Sequence, residues 1–144
     1  MNGLLNGKKT RKKMSLRVLL VDDEKDFVET LAERLEVRNF TVLTALSGDE
    51  AIEKVKKYHI DIIVMDLLMP GKSGIETYKE IRMIHPAVGV IMLTGHAELE
   101  TAMAGLKLGI YDYLIKPVQI EELVEKLKMA HSHKVVFEER KSRK

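Results

Sequence analysis

The chain reads as an α/β protein: a doubly wound, five-stranded parallel sheet with helices on both faces. Three observations predict this. Short apolar runs rich in β-branched residues recur at Arg17–Val21, Thr41–Ala45, Ile60–Met65, Gly89–Leu93 and Tyr113–Ile115, the length and composition of strands buried on both sides. The stretches between them carry apolar residues at three- and four-residue intervals, the period of an amphipathic helix. Regular strand–helix alternation through right-handed crossovers builds an open parallel sheet. A closed (β/α)₈ barrel needs roughly 200 or more residues, and this chain has 144.

The first strand leads into a helix whose apolar positions are Phe27, Leu31 and Leu35. After the second strand, Ser47 followed by Glu50 predicts a capping box, with Ala51, Ile52 and Val55 as the buried stripe. Ser73 and Glu76 repeat that signature before Ile75, Tyr78 and Ile81. The fourth helix carries Ala102 and Leu106 on its apolar face, and Gly109 is placed to end it. Gly105 inside that helix costs about 1 kcal/mol against alanine, and with Gly95, Ala97 and Ala104 it suggests a loosely held element. The fifth helix shows Ile120, Leu123, Val124 and Leu127, and the periodicity fades after about His133. The expected division is a basic leader over 1–15, one domain over 16–133, and a charged tail or truncated linker over 134–144.

Composition is that of an ordinary globular domain, 45% hydrophobic and 32% charged. No apolar run approaches the roughly 18 residues of a membrane span, and the N-terminus lacks the apolar region of a secretory signal. The absence of cysteine excludes a disulfide framework, a thiolate nucleophile and a thiolate zinc site; it is compatible with a cytoplasmic protein. Residues 1–13 carry five cations and no acid, and residues 134–144 carry five cations and two acids, which leaves 14 cations and 20 acids between them. The net charge of +2 therefore conceals an acidic body with basic ends. A solvated, disordered leader is the expectation, ahead of one that attracts nucleic acid or lipid.

Charged residues sit where several strands end. Asp22-Asp23 follow the first strand, Asp66 the third, and Lys116 the fifth. In an open parallel sheet those ends share one edge, where such folds bind ligands. Three carboxylates meeting there repel one another unless a cation intervenes, so the pattern predicts a hard divalent metal, an anionic phosphoryl group and a lysine to hold it. Blander roles exist: Asp22 or Asp23 as a cap for the first helix, Lys116 as a turn lysine, Thr94 as a strand-end hydroxyl, Tyr113 as core. A cap accounts for one acid, not for two acids plus Asp66. Gly71-Lys72-Ser73 imitates the end of a nucleotide-binding loop, but the first glycine of that loop would fall at position 66, which is Asp. His131 and His133 lack further metal ligands nearby in sequence and read as a solvated helix end; His59 and His85 read as surface turns.

Four segments in order carry a resemblance: Leu20-Val21-Asp22-Asp23-Glu24, Val64-Met65-Asp66-Leu67-Leu68-Met69-Pro70-Gly71, Leu93-Thr94-Gly95 and Tyr113-Leu114-Ile115-Lys116-Pro117. Over about residues 16–133 the chain resembles the response-regulator receiver domain of two-component signalling. The resemblance implies a flavodoxin-like receiver fold and a cis peptide before Pro117. It implies Mg²⁺ held by Asp23, Asp66 and the Leu68 backbone carbonyl, with Asp22 acting through water. Asp66 would be the phosphoacceptor, assisted by Lys116 and Thr94, with a phosphohistidine on a sensor histidine kinase or phosphotransfer protein as donor. Thr94 and Tyr113 would couple the site to the surface of the fourth helix, fifth strand and fifth helix, where a downstream protein, an attached output domain or a second copy would dock. Leu68 offers an attacking water no hydrogen bond, so slow autodephosphorylation is expected; the part played by His96 is open. The segment from Thr94 to Pro117 looks most like receivers attached to transcriptional activators bearing an ATPase domain. The chain is not expected to bind nucleic acid directly or to act as an enzyme on other substrates. The competing readings are a phosphorylation-independent binding module of the same fold and, less favoured, a Mg²⁺-dependent aspartyl-phosphate phosphatase. Such phosphatases want an acid two residues past the nucleophile, where this chain has Leu68.

Overall fold

A computed structural model describes residues 15–142, with side chains through His133; the leader up to residue 14 lies outside the described residues. Five strands, β1 (Arg17–Val21), β2 (Thr41–Ala45), β3 (Ile62–Asp66), β4 (Gly89–Thr94) and β5 (Asp112–Ile115), alternate with helices α1 (Lys25–Val37), α2 (Gly48–Lys57), α3 (Gly74–Ile84), α4 (Leu99–Leu108) and α5 (Ile120–Ser142). A single 3₁₀ turn, His96–Glu98, precedes α4. All strand pairs are parallel, in the order β2-β1-β3-β4-β5. Direction of winding reverses at β1, the position where such sheets open a crevice beyond their C-terminal ends.

Strand alternation supplies two cores. Leu19, Val21, Ile63, Met65, Val90 and Met92 face one way and pack with Ala51, Ile52 and Val55 of α2, Tyr78 and Ile81 of α3, and Ala102 of α4. Val18, Leu20, Ile62, Val64, Ile91 and Leu93 face the other way and meet Val28, Leu31 and Leu35 of α1 and Leu123, Leu127 and Ala130 of α5. Because both faces are covered, every residue of β3 is buried, which is why the central strands read as continuous apolar runs.

Element boundaries differ in informative ways. The third strand begins at Ile62 rather than Ile60; Ile60 is fully buried yet precedes the ladder, and the Asp61 N–H donates to the Arg17 carbonyl at 2.9 Å. That strand also takes in Asp66, paired with Leu93, so the acid is held by the sheet rather than by the loop after it. Ser73 makes the complete capping box with Glu76, whereas Ser47 makes half of one: Glu50 reaches back to the Leu46 N–H at 2.8 Å instead. Gly109 does end the fourth helix.

Two expectations for α4 are corrected. Leu106 is 40% exposed, and the buried face is Ala102 with Gly105. A Cβ at Gly105 would lie 2.8 Å from Ile110 Cδ1 and 3.2 Å from Ile75 Cδ1. The glycine thus marks close packing of α4 against α3 and the loop before β5, not a loosely held segment. At the other end of the chain, α5 continues as helical backbone to Ser142, through the stretch after about His133 where the apolar periodicity fades.

Candidate functional site

The register explains how the charged residues meet. Val21 pairs with Met65, and Met65 with Met92, so the residues following these strands emerge side by side. Asp22 leaves β1 with its N–H donating to the Ala45 carbonyl at 3.2 Å. Its side chain is buried; Oδ1 accepts from the Glu24 N–H at 2.9 Å, which shapes the entry to α1 without being its side-chain cap. Asp22 Oδ2 accepts from Lys116 Nζ at 2.9 Å.

Asp66, 9% exposed, ends β3 with Oδ1 3.4 Å from the same lysine nitrogen. Asp23 is exposed to solvent, and one carboxylate oxygen each from Asp22, Asp23 and Asp66 lie within 4.8 Å of one another. Lys116 reaches them from beyond β5. Its N–H donates to the Thr94 carbonyl at 2.8 Å, its bond to Pro117 is cis as expected, and its ammonium lies 4.8 Å from the centre of the Phe27 ring.

The loop after Asp66 doubles back tightly. The Gly74 N–H donates to the Leu67 carbonyl at 2.8 Å, and a Cβ at Gly74 would stand 2.5 Å from the Asp66 carbonyl oxygen. No other residue type lets the first turn of α3 abut the end of β3 in this way. Leu68, in that loop, has a side chain 56% exposed. Thr94 is buried at the end of β4 and its hydroxyl donates to the Gly95 carbonyl at 3.1 Å. Tyr113 is half-buried against the core formed with α2, α3 and α4, so it is partly core, as one reading of the sequence had it. His96 is exposed in the 3₁₀ turn.

Electrostatics follow from this crowding. Burial, then the charge on Asp22, raises the Asp66 carboxyl from 3.8 to about 6, with Lys116 opposing and Asp23 adding to the rise. Burial works against the Lys116 ammonium, but the hydrogen bond and charge of Asp22, then Asp66, outweigh it and raise its pKa. Two carboxylates 4 to 5 Å apart repel by about 3–4 kcal/mol at an effective dielectric near 20. One lysine cannot offset three such groups. A set of three carboxylates with all-oxygen donors suits a hard divalent cation such as Mg²⁺, which demands oxygen ligands and usually takes one or two carboxylates directly.

Sequence reasoning named Asp22, Asp23, Asp66, Lys116 and Thr94, and the structure brings them to one sheet edge. It missed Phe27, expected as plain core, which lies beneath the lysine, and Gly74, whose role is a tertiary approach. Elsewhere among the described residues, Lys126 of α5 pairs with Asp112 of β5 at 2.6 Å and ties those two elements together.

Residues 18–128 match the family described as the response regulator receiver domain. The chain is 35% identical over 123 residues to the transcriptional regulatory protein ZraR of Escherichia coli K12, covering 84% of this chain and 28% of that protein. It is 38% identical over 112 residues to the transcriptional regulatory protein CpxR of the same organism, covering 78% of this chain and 47% of the relative. It thus spans about a quarter to a half the length of these curated relatives. A solved response regulator receiver domain protein from Clostridium thermocellum superposes with a TM-score of 0.81 at 33% identity, covering 85% of this chain and 98% of that one. With its sheet order, its acidic edge and these likenesses in agreement, the chain belongs to the response regulator receiver domains.

Proposed function

We propose that Asp66 accepts a phosphoryl group from a phosphohistidine of a sensor histidine kinase or phosphotransfer protein, and that this modification switches the domain's surface. The observation that carries the reading is a single ammonium, Lys116 Nζ, 2.9 Å from Asp22 and 3.4 Å from Asp66, beside a third carboxylate. An ionised Asp66 oxygen attacks phosphorus in line; the new O–P bond forms as the P–N bond to the donor imidazole breaks, and the imidazole departs with the bonding pair. Such transfer needs chiefly positioning and charge neutralisation. When bound, Mg²⁺ supplies that neutralisation for the carboxylates and the phosphoryl oxygens. Asp23, Asp66 and the Leu68 carbonyl would hold it directly, with Asp22 acting through water. Lys116 then exchanges Asp66 for a phosphoryl oxygen.

Signal output follows from two side chains. The Thr94 hydroxyl, now bonded to the Gly95 carbonyl, turns to the phosphoryl group, and Tyr113 moves into the space behind it. Phosphorylation acts by favouring one of two packings of α4, β5 and α5. The partner for that surface is an output domain or a downstream protein; coverage of only part of two transcriptional regulatory proteins supports an attached one. A homodimer through the same surface is a further arrangement it permits, and the cytoplasm is the compartment that fits a kinase donor. Among the described residues no helix is long and apolar enough to cross a membrane. The exposed, apolar Leu68 cannot orient an attacking water, so the aspartyl phosphate hydrolyses slowly.

Intact-mass measurement after incubation with a small acyl-phosphate donor tests this. A single phosphoryl adduct that requires Mg²⁺ and disappears in Asp66→Ala is expected. No adduct on wild-type protein with demonstrated Mg²⁺ binding would favour a phosphorylation-independent binding module, and an adduct lifetime of seconds would contradict slow hydrolysis.

A further inference from the structure

Far from the acidic edge lies a cleft of about 700 Å³, within the range of sites that hold small organic ligands. Its walls come from α3, the turn between α3 and β4, the C-terminal end of α4, the loop that leads into β5, and α5. Gly89 at its floor opens β4, whose other end is Thr94, so the cleft sits roughly 15 Å along the sheet from the carboxylates. It shares no residue with the site already described.

The lining is mainly apolar, with one cation. Val88, Leu106 and Ile110 contribute aliphatic surface, and Tyr111 makes an aromatic wall with the His133 ring at 5.5 Å. Arg82 donates one N–H to the Leu108 carbonyl at 2.5 Å and lies 5.7 Å from the centre of the Tyr78 ring. Among the described residues no carboxylate pairs with it, whereas Lys54, Lys72, Lys116 and Lys126 each have an acidic partner. A guanidinium has five donors in a planar fork suited to carboxylates, and one hydrogen bond leaves most of them available.

We infer that this cleft is a binding site for a small apolar carboxylate, its hydrocarbon or aromatic body against Leu106, Ile110 and Tyr111 and its carboxylate on Arg82. A regulatory consequence rests on the proposed phosphorylation of Asp66. The ligand would bridge α3 to α4, the lead-in to β5 and α5, and the last three belong to the surface whose packing Thr94 and Tyr113 are to change, so it would favour one of the two packings. Binding and phosphorylation would then influence each other reciprocally.

Calorimetric titration of the full chain with 2-naphthoate and with its uncharged analogue 2-naphthamide tests the site without any phosphoryl chemistry. The carboxylate is expected to bind about tenfold or more tightly than the amide, as a charge-assisted hydrogen bond would provide. Arg82→Gln should erase that preference and leave the amide within about twofold, and Ala87→Trp, which fills the cleft from a surface turn, should abolish both. Equal affinities for acid and amide in the wild type, or binding unaltered by Ala87→Trp in a variant with an unchanged melting profile, would overturn the site. Saturating 2-naphthoate should change the rate of adduct formation at Asp66 at least twofold. Binding with an unchanged rate would overturn the regulatory consequence alone, and absence of any adduct without naphthoate would instead count against the proposed switch.

Discussion

Burial and the neighbouring Asp22 hold the Asp66 carboxyl near 6 rather than 3.8. In metal-free protein the folded state therefore keeps a proton between about pH 4 and 6 that the unfolded chain has released. Stability from this group is fully present below about 3.8 and is lost as pH rises through about 6, so at neutral pH ionised Asp66 costs on the order of 2–3 kcal/mol. Asp66→Asn should then be more stable than wild type at pH 7.5 in chelator, with the gap closing near pH 4. Denaturant melts at both values check this, and a gap independent of pH would refute the electrostatic account. Lys116→Ala should slow adduct formation about a hundredfold or more, as loss of one preorganised donor does elsewhere, while Mg²⁺ affinity measured by titration does not fall, because a competing cation has gone. These charged positions were legible in the sequence because each follows an apolar run. Phe27 beneath Lys116 was not, since an aromatic at helical spacing looks like core until the fold turns it toward the edge.

At the scale of elements, the first turn of α3 is what holds the loop after Asp66. Its cap was readable from Ser73 and Glu76, because a capping box is local chemistry. The close approach at Gly74 was not, because it depends on where β3 and β4 lie: a Cβ there would meet the Asp66 carbonyl oxygen at 2.5 Å and Met92 Sδ at 2.9 Å. Alanine would contribute up to about 1 kcal/mol of helix propensity, but displacing backbone costs more, about 2–3 kcal/mol. Gly74→Ala should accordingly lower stability by about 1–2 kcal/mol in chemical denaturation and weaken Mg²⁺ binding; equal or greater stability would show that α3 shifts freely. Gly105 teaches the same lesson in reverse. Propensity alone suggested looseness in α4, and the packed Ile110 and Ile75 show a tight contact.

Across the whole molecule, the acidic edge makes metal binding and folding stability one linked quantity. A ligand present at a hundredfold excess over its Kd stabilises the state that binds it by about 2.7 kcal/mol. Mg²⁺ at that excess should raise the melting temperature of wild-type protein, and Asp23→Ala, which leaves the pairs of Lys116 with Asp22 and Asp66 in place, should lose most of the effect. An equal rise in both proteins, read by thermal melts with and without chelator, would mean that the ion binds elsewhere.

Alternation of apolar strands and amphipathic helices determined the fold class by itself, since both periods follow from covalent geometry and from which residues must leave water. The same alternation located the ends of strands, and so the acids and the lysine that share an edge. Tertiary structure alone decided which groups touch: the single lysine between Asp22 and Asp66, the ring under it, the glycine pressed against the strand end, and, in a distant cleft, the arginine bonded to the Leu108 carbonyl. Those depend on distances between segments far apart in sequence, set by sheet register and by packing that no local pattern of residues encodes.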